Sequence, residues 1–122
     1  MTVLDTAQMP LQTPPSPLAV VRDERGVVTL TLNDPGRFNA LGSEMLVALQ
    51  QALDAVAQDP SARAVVLAAQ GKAFCAGHNL KDMAAHPDQA WYQKLFAQCS
   101  RVMLSIHKLP VPVIARVHGM AT

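Results

Sequence analysis

The chain has 122 residues, of which 50% are apolar and 16% are charged, and its formal net charge is +1. This composition is typical of a globular protein with one small domain. Lys and Arg are scattered, so the chain lacks the basic patch that nucleic acids or anionic membranes attract, and we expect neither partner. No apolar run is long enough to cross a bilayer.

The N-terminal segment is rich in proline. Pro10, Pro14, Pro15 and Pro17 disfavour helices and central strands, so residues 1–17 are predicted to form a flexible leader. The segment lacks the basic start and apolar centre of a signal peptide, and it has no Arg. The chain has two cysteines, too few for a disulfide framework. These features predict a cytoplasmic location.

Strands and helices alternate through the rest of the chain, which predicts an α/β fold. In the second strand Val28, Leu30 and Leu32 share one face, as expected of a strand with two different sides. The first helix is predicted to begin at an N-cap, Ser43. The predicted elements are strands 18–22 and 27–32, a helix from 43 to before Pro60, a buried strand 64–69, a loop 70–79, a helical turn 80–85, a helix from 88 to before Pro110, a buried strand 111–117 and a final loop.

Residues 71–83 form the most informative segment, Gly-Lys-Ala-Phe-Cys-Ala-Gly-His-Asn-Leu-Lys-Asp-Met. Ala76 and Gly77 are small, so a ligand can approach the backbone closely. Asn79 is a good N-cap for the helical turn that follows, and backbone N–H groups at a helix start suit an anionic oxygen. The segment therefore predicts an anion site built from backbone rather than from a charged side chain.

Three segments together resemble the enoyl-CoA hydratase/isomerase (crotonase) family. The segment 72–80 resembles its K-x-F-(C/S/A)-A-G-x-D-(L/I) pattern, the segment 37–41 resembles R/K-x-N-A-L, and the segment 109–119 resembles L-P-x-P-V-I-A followed by N-G. They occur in family order over residues 18–122. His78-Asn79 and the run Gly119-Met120-Ala121-Thr122 resemble the enoyl-CoA hydratase domain-containing protein 3 subgroup.

The resemblance implies a crotonase-like spiral of ββα units, with residues 18–122 as the N-terminal part of an acyl-CoA-binding domain. It implies that the backbone N–H of His78, shaped by Gly77, is the first of two oxyanion donors to a thioester carbonyl. It implies no tightly bound cofactor and no metal, a coenzyme A thioester as substrate, and a homotrimer or hexamer at full length. The residues implied to contact the coenzyme are Arg37, Ala40, Ala76, His78, Asn79, Leu80 and Lys81.

The sequence departs from the family pattern in two ways. Asn79 replaces the usual Asp, although both residues cap helices well. The Gly-rich loop with the second donor, and the acidic residues of the hydratases, are expected beyond residue 122, so the chain alone is predicted to be inactive. The alternative is a truncated, non-catalytic member that at most binds acyl-CoA or subunits. The motifs of the fold-related Clp-type serine proteases are not found.

Each candidate side chain also has a simpler interpretation. The His78 imidazole is either a general acid or base or a loop group of which only the backbone matters, and the motif favours the second. Cys75 fits a packing residue better than a nucleophile. Lys72 and Lys81 either approach the coenzyme phosphates or are solvated. Trp91 and Phe96 are expected in the core. His86, His107 and His118 lack metal-ligand spacing and are expected at the surface.

Overall fold

The computed structural model describes residues 16–122, so the predicted leader over residues 1–17 falls almost entirely outside the described part. Both long helices and the first three strands lie where the sequence predicts them. The elements in chain order are β1 (Leu18–Arg22), β2 (Val27–Leu32), a 3-10 turn (Pro35–Arg37), α1 (Ser43–Ala57), β3 (Ala64–Ala69), β4 (Ala73–Cys75), α2 (Leu80–Ala85), α3 (Gln89–Lys108), β5 (Val113–Ala115) and β6 (Met120–Ala121).

The main sheet has four strands in the order β1-β2-β3-β5. β1 and β2 form an antiparallel hairpin, whereas β2, β3 and β5 run parallel. Parallel neighbours need a crossover connection, and α1 provides it between β2 and β3. The sheet thus begins as ββα and continues with parallel strands, which is the predicted α/β architecture.

The core lies between the sheet and the two long helices. Val28, Leu30 and Leu32 are buried on one face of β2, which confirms the predicted alternation. α1 lies against β1 and β2 through an apolar stripe that includes Leu46 and Leu53, and α3 packs against α1. Because α1 is fixed on both sides, the loops at either end of it have defined positions.

A second, two-stranded sheet joins β4 to β6 in parallel, pairing Ala73 with Met120 and Cys75 with Ala121. The sequence predicted loops at both places, and those two predictions are wrong. The close approach depends on Gly119, whose φ of +62° is left-handed and whose added Cβ would collide with the carbonyl of Lys72. This pairing brings the last described residues beside the 73–78 segment.

Two further predictions need correction. Ser43 is the first residue of α1, and the N-cap is Gly42 in an extended conformation without a side-chain hydrogen bond. The predicted buried strand 111–117 is limited to β5, where Ile114 and Ala115 are exposed. Pro112 has no N–H to donate, and β5 has a single neighbour within the described residues, so a longer and buried strand is not supported.

Candidate functional site

The backbone at Gly77 is held in a conformation that glycine favours. Its φ is +85°, in the left-handed region that L side chains rarely adopt. The Gly77 carbonyl accepts a hydrogen bond of 2.7 Å from the Leu41 N–H, and its own N–H points to the Cys75 sulfur at 3.4 Å. On the N-terminal side, the Ala76 N–H donates to the Phe38 carbonyl at 3.0 Å. The segment is therefore fixed against residues 38–41.

The His78 N–H differs from these neighbours. Among the hydrogen bonds of residues 16–122, none has the His78 N–H as its donor, although Ala76, Gly77 and Leu41 all donate. Leu41 and His78 face each other as a single parallel bridge, which fixes the direction of the peptide plane. The geometry thus leaves one backbone donor free at the position that the sequence singled out.

Asn39 is the residue that sequence reasoning underestimated. Its side chain is fully buried and bridges two loops: Oδ1 accepts from the Asp34 N–H at 2.8 Å, and Nδ2 donates to the carbonyls of Gln70 and Ala73, both at 2.9 Å. Its φ of +55° is left-handed, where Asn is tolerated better than most residues. We call these contacts the Asn39 clamp. The clamp connects the 34–41 loop to the start of the 71–79 segment.

Asn79 is the N-cap of α2, as predicted. Its Oδ1 accepts from the N–H groups of Lys81 and Asp82, both at 3.1 Å. Those two donors are therefore occupied by the cap. The predicted anion site therefore loses two candidate donors, whereas the N–H groups of His78 and Leu80 donate no hydrogen bond among the described residues.

A cavity of about 510 Å³ brings together the residues expected to contact the coenzyme. Arg37 and Lys81 give it two cationic groups, and Asp82 one carboxylate. The Leu80 side chain is 74% exposed and adds a solvent-facing apolar surface. The predicted residues that line the cavity are Arg37, Ala40, Ala76, His78, Asn79, Leu80 and Lys81.

A second, apolar groove of about 440 Å³ runs along α3. Phe96, Met103 and Leu104 line it, and all three are exposed, so the prediction of Phe96 as a core residue is wrong. Burial raises the pKa of the Cys99 thiol, which also borders the groove, with a smaller contribution from Cys75. A raised pKa leaves this thiol protonated and poorly nucleophilic.

The remaining candidates take structural positions. Cys75 is buried, and its carbonyl accepts from the Thr122 N–H at 2.9 Å, which fits packing rather than nucleophilic chemistry. Trp91 is half-buried and stacks on exposed His86 at 4.5 Å. His107 and His118 are exposed, as predicted. Within residues 16–122 no three His, Cys, Asp or Glu side chains are grouped to hold a metal, and no described helix is long and apolar enough to cross a membrane.

The fold and these loops define a protein of the crotonase type, and comparison with known proteins gives the family. Residues 22–122 match the enoyl-CoA hydratase/isomerase family model, so the chain belongs to that family. A solved enoyl-CoA hydratase from Mycobacterium smegmatis is 64% identical with a TM-score of 0.83, over 84% of this chain and 40% of that one. The solved human enoyl-CoA hydratase domain-containing protein 3 is 32% identical with a TM-score of 0.79, over 84% and 40%.

Among curated relatives, the mitochondrial enoyl-CoA hydratase domain-containing protein 3 of Xenopus laevis is 38% identical over 107 residues, which are 88% of this chain and 36% of the relative. The chain thus spans well under half of that relative and corresponds to an N-terminal portion of the crotonase fold. The family and subgroup resemblance are confirmed. The predicted cytoplasmic location is wrong by this comparison, because the relatives from Xenopus laevis, Danio rerio and Homo sapiens are named mitochondrial.

Proposed function

We propose that the protein is an acyl-CoA-processing enzyme of the hydratase or isomerase type, in which the His78 N–H is the first of two oxyanion donors. The observation that carries this proposal is that the His78 N–H donates no hydrogen bond among the described residues. The N–H groups of Ala76, Gly77 and Leu41 around it all donate one. In such chemistry negative charge develops on the thioester oxygen as an enolate forms. A fixed donor aimed at that oxygen is worth about 3 kcal/mol.

The cavity of about 510 Å³ has the chemistry to take the coenzyme. We propose that Arg37 and Lys81 lie near the anionic phosphates, as two exposed cations at the rim. Exposed Leu80 and the small Ala76 offer surface to the adenine and the pantetheine arm. Lys72 is exposed but does not line this cavity, which favours the solvated interpretation for it.

The apolar groove of about 440 Å³ suits the acyl chain, because it begins at His78 and continues along Phe96, Met103 and Leu104. Burying an apolar chain there contributes about 25 cal/mol for each Å² removed from water. The second donor and the acid–base groups are proposed to come from the part of the family fold that this chain does not span. Assembly into trimers or paired trimers is proposed on the family resemblance alone.

The alternative expected from the sequence is a non-catalytic family member that at most binds acyl-CoA or subunits. Two measurements on the full-length protein decide between them. We expect calorimetric binding of coenzyme A and loss of the enoyl-thioester absorbance of crotonyl-CoA on hydration. Binding without turnover of crotonyl-CoA, or of an isomerase substrate, would favour the non-catalytic member. Absence of coenzyme A binding would contradict the enzyme and would leave at most a subunit-binding member.

A further inference from the structure

The short helix α2 carries two residues of the cavity proposed for the coenzyme, yet its own packing is slight. Leu80 and Lys81 line the cavity of about 510 Å³, and both are exposed. None of the six residues of α2 is buried. An isolated helix of this length is not stable in water, so the position of α2 depends on contacts with the rest of the fold.

The Tyr92 hydroxyl, in the first turn of α3, provides one such contact. It donates a hydrogen bond of 2.7 Å to the Met83 carbonyl, which belongs to the last turn of α2. Carbonyls in a last turn have no partner inside their helix, so they need a donor from outside. The other described donor to this carbonyl is the His86 N–H, at a longer distance of 3.3 Å. Because α3 packs against α1, Tyr92 connects α2 to the core of the fold.

Trp91, the neighbour of Tyr92 in α3, provides a second contact at the end of α2. Its ring stacks on the His86 imidazole, with centroids 4.5 Å apart and planes 6° from parallel. His86 is the C-cap of α2, and its Nδ1 lies 2.9 Å from the Asp82 carbonyl. Two adjacent aromatic residues thus hold the last turn of α2. We call the Tyr92–Met83 and Trp91–His86 contacts the α2 latch.

We infer that Tyr92 is a positioning residue for coenzyme binding, which acts through α2 without touching the ligand. Tyr92 does not line the cavity of about 510 Å³, whereas Leu80 and Lys81 do. This inference rests on the proposed function, because it requires the coenzyme to occupy that cavity. When the latch is broken, only a fraction of the molecules present Leu80 and Lys81 to the ligand. The apparent dissociation constant then rises by the inverse of that fraction.

The size of the effect follows from the strength of one hydrogen bond. A hydrogen bond of ordinary strength corresponds to about a fivefold change in an equilibrium constant. Since no residue of α2 is buried, little else opposes its release, and most of this factor should appear in the affinity for the coenzyme. The loop at Gly77 should be spared, because the Asn39 clamp and the Leu41 N–H hold it independently of α2.

The test compares the full-length protein with its Tyr92→Phe variant, which retains the ring and lacks the hydroxyl. We expect the calorimetric Kd of coenzyme A to rise about fivefold. Amide hydrogen exchange of residues 80–85 should become faster, whereas exchange in β2 should not change. With crotonyl-CoA the loss should lie in KM, with kcat within about twofold of the unmodified value. The crotonyl thioester of N-acetylcysteamine lacks the adenine and the phosphates, so its kcat/KM should not change.

Ser105→Ala is the matched control, because it removes another hydroxyl of α3 that contacts α1 instead of α2. The Ser105 hydroxyl accepts a hydrogen bond of 2.8 Å from the Gln50 amide. This variant should leave the Kd of coenzyme A unchanged, even where it lowers the melting temperature. Circular dichroism melts of both variants separate loss of affinity from loss of folding.

The outcomes separate the inference from the proposed function. An unchanged Kd of coenzyme A in Tyr92→Phe would overturn the inference and leave the proposed function standing. An equal loss with the short thioester, or an equal rise of Kd in Ser105→Ala, would also overturn it, because the hydroxyl would then act on the whole fold. If the unmodified protein does not bind coenzyme A, the proposed function fails and the inference fails with it.

Discussion

The segments 71–79 and 113–122 meet through the β4–β6 pairing, yet they are held in different ways. The first segment is anchored from several directions: the Asn39 clamp holds its start, and the Leu41 N–H holds Gly77. The second is held on one side, by β3 and β4, and exposes Ile114, Val117 and Met120. Residues 16–122 thus supply all the contacts that hold the segment 71–79 described above. The segment 113–122, in contrast, presents exposed apolar side chains and an unpaired strand edge.

The largest expected effect concerns catalysis by residues 1–122 alone. The first donor is in place, but the second donor and the acid–base groups are proposed to lie elsewhere in the fold. Loss of one oxyanion donor alone costs about a hundredfold to a thousandfold in rate. We therefore expect no measurable crotonyl-CoA hydration by this chain. Turnover at the rate of the full-length protein would contradict this expectation, because residues 1–122 would then hold a complete catalytic site.

The next effect is expected at Gly77, in the well-anchored segment. Gly77→Val must either strain a left-handed φ of +85° or rotate the peptide that carries the His78 N–H. The Cβ itself meets Thr122 at ordinary distances of 3.6 Å and more, so the conformation rather than lack of space is the obstacle. In the full-length protein we expect loss of acyl-CoA affinity and about a hundredfold to a thousandfold loss of rate.

His78→Ala provides the comparison for Gly77→Val, because alanine retains the backbone N–H. On crotonyl-CoA we therefore expect His78→Ala to lose no more than a few-fold in kcat/KM. If His78→Ala removes the activity while affinity and folding are unchanged, the imidazole takes part in proton transfer, and the backbone interpretation is wrong.

A smaller effect is expected from the Asn39 clamp. Asn39→Ala leaves the Asp34 N–H and the carbonyls of Gln70 and Ala73 without their partner. We expect the free energy of unfolding of the full-length protein to fall by about 3 kcal/mol, measured by urea denaturation. Asn33→Ala is the matched control on the exposed side of the same loop and should cost less than about 0.5 kcal/mol. Equal costs would show that the Asn39 clamp does not hold the start of the 71–79 segment.

The smallest effect concerns the open edge. We expect residues 1–122 to self-associate, because β5 has an unpaired edge among the described residues and Ile114 is 55% exposed. Ile114→Lys should weaken association about tenfold, since about 1.5 kcal/mol of apolar burial is lost. Val47→Lys, on the outer face of α1, adds the same charge and should leave association unchanged in sedimentation. A monodisperse monomer with a sharp melt would contradict this expectation.

The local sequence pattern was sufficient to predict most of the helices and strands. It was insufficient for the strands that form where segments distant in sequence meet. The period-2 alternation of β2 and the helical spacing of α1 depend only on residues close together in the sequence. The positions of these two elements could therefore be predicted. β4 and β6 are short and exist because Ala73 and Ala121 belong to segments that pair across the fold. No local signal shows that pairing.

The same distinction holds for the candidate site. The sequence predicted the Asn79 cap correctly, because its geometry is set within a few residues, and the roles of Gly77 and His78 in an oxyanion site stay predictions. The role of Asn39 depends on carbonyls 31 and 34 positions away, so the sequence showed the residue but not its partners. Phe96 has a core-like position on the helical pattern of α3, and only the three-dimensional arrangement shows that it faces the groove.

The Asn39 clamp has a consequence for the energetics of ligand capture. Its three hydrogen bonds lie within the protein, so the loop that bears the free donor is ordered before any thioester arrives. Immobilising a residue of a loose loop would consume about 1–2 kcal/mol of binding free energy. A preorganised loop avoids that entropic cost, so more of the interaction with a thioester is retained as affinity and rate. A buried amide that touches no ligand can thereby set how tightly a ligand is held.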